Sequence, residues 1–448
     1  MSTNYFAKYD VPVPRYTSYP TVPYWERTPA ANEWIGHIRQ SLSSESASWS
    51  MYIHIPFCET LCTFCGCNNI ITKDHKREEP YKDLLLKEWS LYLEKVPEFR
   101  TRPIRHVHLG GGSPSFLSAA HLKELLSEIL KDLVREPDFE GSIEVDPRRT
   151  TKDQLQVLRE LGFNRVSLGV QDFEPEVQRL VNRTQPFEIT KNISDVSRQL
   201  GYSSVNFDLI YGLAKQTPES IQKTAELTVS LKPDRIALYS FAMVPWIKPQ
   251  QRLFKDEDLP TGAEKRKLYE IARNILLQAG YLEVGMDHFA LPSDDLVTAM
   301  HSGKLHRNFM GYTNQRTDVM LGLGVSSISE TPFSFHQNEK LLPKYEESLK
   351  KNVIPTLRGH VHSQEDLVRR EQILKFMTDS KVTFENADQE KQATDFLKEM
   401  LGDGLVEIKN HQLYITDLGR PFLRNACVFF DEHLKQKAPQ TKIFSQSI

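Results

Sequence analysis

Cysteine is scarce in this 448-residue chain everywhere but one place: of five cysteines, four fall within residues 58–67, CETLCTFCGC, and the fifth is Cys427. Long apolar runs are missing too. No stretch approaches the roughly eighteen consecutive apolar residues that would span a membrane. The opening residues, MSTNYFAKYDVPVPRYTSYPT, lack the continuous apolar core of a signal peptide. There is no excess of basic charge: 56 Lys and Arg stand against 59 Asp and Glu, a net charge of -3, so the footprint of a nucleic-acid binder is absent. No internal repeat or low-complexity tract breaks the chain. With 39% hydrophobic and 26% charged residues, the composition is that of a soluble globular protein. These absences predict a cytoplasmic setting. There the thiols stay reduced, and a cluster of them favours a metal over a disulfide knot.

The pattern along the chain is a short apolar segment, a turn and an amphipathic helix, repeated. Strands are expected at MYIHI (51–55), IRHVHLG (104–110), SIEV (142–145), RVSLGV (165–170), VNFDLIYG (205–212) and RIALYSF (235–241). Helical periodicity fills the intervals, as in EEPYKDLLLKEWSLYLEKV, AAHLKELLSEILKDLV and TPESIQKTAELTVSL. Thr217 before Pro218 and Glu219 marks a helix start. Six such units predict an α/β fold with a parallel sheet, a partial (β/α)6-type barrel whose chemistry collects at the carboxyl ends of its strands. Residues 1–35 read as an arm that must dock to be ordered. Residues 36–350 form the catalytic α/β domain. Residues 351–448 read as a mainly helical, winged-helix-like domain: two helices within 363–402, then two short strands and a helix. It is expected to act as a packing module, without nucleic acid.

The cysteine loop directly follows the first strand, with the spacing C-x3-C-x2-C. A structural zinc site has two ligand pairs separated by a longer loop, and no second pair is present. A redox C-x-x-C would not need the additional thiols. Cys58, Cys62 and Cys65 on one tight loop instead suit three irons of a 4Fe–4S cluster. The fourth iron would stay open to chelate S-adenosylmethionine (SAM), whose reductive cleavage yields a strongly hydrogen-abstracting radical. Cys67 is either a buried neighbouring thiol or a fourth ligand that would close that iron. Cys427 is expected to pack in a helix.

Further residues gather at strand ends. In HLGGGSPS, Gly110, Gly111 and Gly112 allow close backbone approach, with Ser113 as a polar contact. Glu144 ends the third strand and Gln171 the fourth. Asp208 sits inside the fifth, where a charge needs a partner. Arg183 is the expected partner, in a structural ion pair or a ligand clamp. His54 is expected to be a satisfied core histidine.

The motifs PRYTSYPT, YIHIPFCETLCTFCGCNN, HLGGGSP, IEVDPR, FNRVSLGVQDF, VQRLVNR, DLIYGL, GMDHFA, LHRN and GVSSIS together resemble the oxygen-independent coproporphyrinogen III oxidases, radical SAM enzymes of haem synthesis. The resemblance runs from about Arg15 to the C-terminus. It implies a 4Fe–4S cluster on Cys58, Cys62 and Cys65 and two SAM molecules. Tyr52, Gly111, Glu144 and Ile328 would hold the first SAM. Phe64, Gly112, Ser113, Gln171, Arg183, Asp208 and Ala242 would line the second site. Glu144, Phe309 and Ile328 would belong to the catalytic centre. Arg15, Tyr16, Arg307 and Met310 would face the substrate, with the arm closing over it.

The implied reaction converts two propionates of coproporphyrinogen III to vinyl groups. It needs an electron donor for the cluster and a final acceptor, and the protein is expected to be a monomer. Departures from the family pattern fall at Met310, where glutamine is usual, at Met243, where histidine is usual, and at Arg316, where a small residue is common. They keep two rivals in view: a haem-binding chaperone-like paralogue, and a radical SAM enzyme acting on another tetrapyrrole such as haem.

Overall fold

The computed structural model describes residues 3–437, 439, 441 and 443–448. The chain divides into two compact units, each assembled from separated segments. One comprises Glu26–Asp208 with Gln315–His362; the other comprises Met1–Trp25, Leu209–Asn314 and Ser363–Ile448.

The first unit is built on β1 (Trp49–Ile55), β2 (Ile104–Gly111), β3 (Arg135–Val145) and β4 (Phe163–Gln171), which pair in parallel in that order. β5 (Ser204–Tyr211) follows, and the division between units falls within it. Between these strands lie helices Glu78–Lys95, Ala119–Leu130, Lys152–Glu160 and Phe187–Gln199. This is the strand–helix alternation expected from sequence.

Side chains alternate along each strand. Met51, Ile53, Ile55, Val107, Leu109, Ile143, Val166 and Leu168 are buried and form the apolar layer. The opposite face carries Tyr52, His106, His108, Ser142, Glu144 and Ser167. The register sets Tyr52 level with His108, His108 with Ser142, and Glu144 with Ser167. On the other side of β1, the later strands Val319–Leu323, Ile328–Glu330, Ser334–Asn338 and Thr356–Val361 continue the sheet, the first parallel to β1 and the rest antiparallel. They were not expected from sequence.

In the second unit, β6 (Arg235–Ser240) pairs antiparallel with His288–Ala290, which in turn pairs with Leu282–Val284. Thr217 caps helix Pro218–Ser230, its side chain accepting from the Ser220 amide, as its sequence position implies. The C-terminal part contains helix Gln364–Asp379, a helical stretch over 387–402 and the strands Val406–Lys409 and Gln412–Ile415. A third strand, Lys381–Thr383, completes a three-stranded sheet. The N-terminal segment of this unit packs here: Tyr9, Tyr16 and Tyr19 share a core with Phe376, Phe422 and Phe430. It also contains a helix, Thr3–Tyr9, that its sequence did not announce. Cys427 is fully buried in this core, as expected. Among the described residues no helix is long and apolar enough to cross a membrane.

Candidate functional site

The cysteine loop leaves the carboxyl end of β1. Phe57–Cys58 pairs in parallel with Ile70–Ile71, which closes the loop at its base. The Thr63 amide donates to Val181 O at 3.1 Å and Asn182 Nδ2 to Leu61 O at 2.8 Å, so the segment after β4 braces it. None of the five cysteines is in a disulfide. Donors approach the sulfurs. Arg183 Nη1 lies 3.7 Å and Arg148 Nη2 3.9 Å from Cys62 Sγ, while the Cys67 amide and Asn69 Nδ2 each lie 3.4 Å from Cys65 Sγ. Burial pushes the Cys58 thiol up to about 12, and the neighbouring Cys65 and Cys62 push in the same direction. Thiolates so placed repel one another unless a cationic group binds them, and a coordinating metal deprotonates thiols outright. Three thiols on one loop with N–H donors aimed at two of them therefore fit an iron–sulfur cluster. Cys67 is exposed rather than buried.

Next to the loop, β2 ends in the glycine run. Gly111 has φ +120°, and a Cβ there would meet the His54 ring at 2.8 Å; one on Gly112 would meet Pro56 O at 2.6 Å. The Gly112 and Ser113 amides donate to Ile55 O and Phe57 O at 2.8 and 2.9 Å. These glycines thus permit close packing against the chain entering the cysteine loop, and those two N–H groups are already engaged. Ser113 Oγ is 3.1 Å from Ser115 Oγ. Tyr52 Oη lies 3.0 Å from His54 Nδ1, and His54 Nε2 2.9 Å from Asn68 O, so His54 is the satisfied core histidine that was expected. Ile328 O approaches opposite Tyr52: Gly322, level with Tyr52, would carry a Cβ 2.6 Å from it.

The acidic residues depart from expectation. Arg183 does not hydrogen-bond Asp208. It donates Nη1 to Asp146 Oδ2 at 3.4 Å and Nη2 to Gly169 O at 2.7 Å. The reason is the chain path: residue 183 lies in the loop after helix Pro175–Leu180, which returns over the end of β3, where Asp146 sits. Arg148 joins the pair, its Nη2 2.7 Å from Asp146 Oδ2. Burial raises the Asp146 carboxyl, but Arg183 and Arg148 together hold it below its ordinary value. Asp208 instead accepts from Ser167 Oγ at 3.2 Å, and burial, then the charge of Glu144, raise it to about 7. Glu144 behaves oppositely. Burial opposes its charge, but the His108 ring at 3.2 Å and the Gly111 amide hold it below the usual carboxylate range. Gln171 ends β4 with φ +68°, a left-handed conformation costly for a non-glycine residue. Phe64 is half-buried in the cysteine loop.

The first unit therefore carries Tyr52, Phe64, Gly111, Gly112, Ser113, Glu144, Gln171, Arg183, Asp208, Ile328 and the cysteines. Sequence reading missed Asp146 and Arg148, although both stand in the quoted IEVDPR. It also missed His108, two residues from His106 and facing the same way.

The second unit carries the rest. Arg15 Nη2 donates to Ser240 O at 3.0 Å, and Arg15 lines a cavity with Arg266, Arg420 and Arg424. Arg424 is pushed down by burial and then by the charge of Arg15. Tyr16 is buried, its hydroxyl 3.1 Å from Asp431 Oδ2, and so anchors the arm. Arg307 is buried over the Tyr312 ring at 4.5 Å and donates to Arg15 O at 3.4 Å. Phe309 stands edge-on to Trp25 at 6.2 Å. Met310, Met243 and Ala242 are half-buried, and Arg316, which belongs to the first unit, is exposed.

Comparison with known proteins agrees with this chemistry. Residues 52–228 match the radical SAM superfamily. The chain is 38% identical over 440 residues to the oxygen-independent coproporphyrinogen III oxidase of Salmonella typhimurium, covering 96% of this chain and 95% of that one. The Escherichia coli protein of the same name matches equally, at 38% over 440 residues. The solved structure of coproporphyrinogen III oxidase (HemN) from Escherichia coli, a radical SAM enzyme, superposes with a TM-score of 0.87 at 37% identity. It covers 94% of this chain and 98% of that one. The chain belongs to the oxygen-independent coproporphyrinogen III oxidases, within the radical SAM superfamily.

Proposed function

We propose that this protein converts coproporphyrinogen III to protoporphyrinogen IX without oxygen. Two propionate side chains each lose a hydrogen atom, carbon dioxide and one electron to become vinyl groups. The observation that carries this reading is the three-cysteine loop at the end of β1, beside Tyr52 and Glu144, in a chain similar to these oxidases over nearly its whole length. Cys58, Cys62 and Cys65 would hold a 4Fe–4S cluster. Bound there, the cluster would supply one electron to SAM, whose cleavage to methionine would give the 5′-deoxyadenosyl hydrogen abstractor.

The residues of the chain then have defined tasks. Arg148 and Arg183 place positive charge and N–H donors beside the Cys62 sulfur. Tyr52, Gly111, Glu144 and Ile328 hold the first SAM, with the Glu144 carboxylate accepting from its amino group or ribose. Phe64, Gly112, Ser113, Gln171, Arg183 and Asp208 line the place of a second. Phe309 belongs to the catalytic centre. Arg15, in its arginine-lined cavity, receives a retained propionate, with Arg307 behind it. Met243 and Met310 fill space where other members offer hydrogen-bonding groups, which narrows recognition to shape. Segments 1–35, 36–350 and 351–448 serve as arm, catalytic domain and packing domain, in a cytoplasmic monomer fed by a separate electron donor and drained by an electron acceptor.

The test is anaerobic. The reconstituted protein is given SAM, a reductant, coproporphyrinogen III and an electron acceptor, and products are followed by mass spectrometry. Successive loss of two carboxyl groups with release of 5′-deoxyadenosine is expected. SAM cleavage with unchanged porphyrinogen overturns the substrate, and stoichiometric haem binding without vinyl products favours a haem chaperone.

A further inference from the structure

On the polar face of the sheet, β2 and β3 set His108 level with Ser142. His106 Nε2 lies 2.7 Å from Ser142 Oγ, Ser142 Oγ 2.6 Å from His108 Nδ1, and His108 Nε2 3.2 Å from Glu144 Oε1. A neutral imidazole has one N–H and one lone pair, and an ionised carboxylate only accepts. The contact with Glu144 therefore calls for the proton on His108 Nε2. Nδ1 is then an acceptor and takes the Ser142 hydroxyl proton, while the Ser142 oxygen accepts the N–H of His106. The three hydrogen bonds run in one direction and end on Glu144.

Two neighbours fix the geometry. The Tyr52 ring stacks on His108, with centroids 5.8 Å apart and planes 19° from parallel. Gly110 leaves open the space on which the three groups converge. A Cβ there would stand 2.9 Å from the Tyr52 ring, 3.2 Å from Glu144 Oε2 and 3.2 Å from His108 Nε2. The outer part of Glu144 remains open, its side chain 47% exposed. The carboxylate is thus gripped from behind and presented in front.

The geometry points to His108 as a positioning residue for SAM: with its tautomer set by Ser142, it holds the Glu144 carboxylate in one orientation for the amino or hydroxyl donors of the ligand. This rests on the reading of Glu144 as a SAM contact. The alternative role, a histidine that merely fills the sheet interior, makes different demands. A filler acts through shape and would tolerate loss of the Ser142 hydroxyl. A positioning histidine acts through one N–H and one lone pair and would not.

The experiment measures SAM affinity by equilibrium dialysis on anaerobically reconstituted protein, with iron content determined in parallel. Glu144→Gln is the reference and is expected to weaken SAM. His108→Ala should weaken it about tenfold, the order of magnitude of a hydrogen bond to a charged group. Ser142→Ala should weaken it by roughly threefold. His108→Gln, whose amide nitrogen can take the place of Nε2, should recover most of the loss. The double variant His108→Ala with Glu144→Gln should bind no more weakly than Glu144→Gln alone, because His108 acts through Glu144.

Unchanged SAM affinity in His108→Ala, or additive losses in the double variant, overturns the proposal while leaving Glu144 in place. Unchanged affinity in Glu144→Gln overturns the reading of Glu144 itself. Should His108→Ala bind less iron, Ser142→Ala carries the test: with iron intact, unchanged SAM affinity in that variant overturns the assignment of the tautomer and with it the proposal.

Discussion

Glu144 on β3 and Asp208 on β5 are carboxylates on the same face of one sheet, one strand apart from each other across β4, and the fold holds them in opposite states. Glu144 meets an imidazole N–H and a backbone amide, which favour its charge. Asp208 accepts a hydrogen bond from a hydroxyl, which lowers it, but burial and the charge of Glu144 outweigh that and favour its proton. The difference does not come from residue type or from depth in the sheet. It comes from which donors the neighbouring strand presents at that level. Two acids on one face are thereby given separate work, one with its charge favoured and the other raised toward neutrality.

The harshest way to break this contrast is to fill the space at Gly110. Gly110→Val should press on Tyr52, His108 and Glu144 at once and weaken SAM binding by more than about thirtyfold, measured by dialysis, since several contacts are displaced together. The Ser167–Asp208 contact lies on other strands and should persist.

Thermal unfolding against pH separates the two acids next. Asp208 has a folded pKa raised above its unfolded value, so the native state holds its proton more tightly. Its contribution to stability then falls as pH rises from about 4 to about 7 and is constant beyond. Asp208→Asn should therefore raise the stability of the ligand-free protein at pH 8 by about 1–2 kcal/mol, discounted for partial exposure, with no gain near pH 4. Glu144 has a lowered folded pKa, so it stabilises above its unfolded pKa, and that stability is lost as pH falls through the folded value. Glu144→Gln should lower stability slightly at pH 8 and not at all at low pH. Variants that shift stability in the same direction at pH 8 would erase the distinction.

The smallest expected effect is at Ser167. Its hydroxyl is the hydrogen bond that lowers Asp208, so Ser167→Ala should move the midpoint of the Asp208 titration upward, followed by carboxyl-region difference infrared spectra against Asp208→Asn. A downward shift would mean that the hydroxyl serves the protonated form instead.

The sequence made the cysteine loop plain because its information is local: spacing, the strand before it and the turn after it. Thr217 and the helix it caps were legible for the same reason. The partner of Arg183 was not. Asp208 was chosen because it is an acid inside an apolar strand, whereas Asp146 receives the arginine because a loop folds back over β3, and nothing near residue 183 records that path. His108 was hidden differently. Its spacing from His106 announces a shared face, but its meaning depends on Ser142 and Glu144 standing level with it across a parallel pair joined by a helix. Register between distant strands also explains why Gly322 and the four strands of 319–361 were overlooked. The burial of Tyr16 against Asp431 was equally illegible, because it joins residues from opposite ends of the chain.

The two-faced alternation of β2 and β3 bears on how the chain finds its own pairing. A slip of one residue would carry Val107 and Leu109 to the polar side and drive His106 and His108 into the layer beneath the helices, where no hydroxyl or carboxylate awaits them. The ladder that ends on Glu144 penalises misalignment as well as presenting a ligand-facing acid. Ser142 and His108 thus count among the side chains whose polarity is compatible with one register and not with the slipped one.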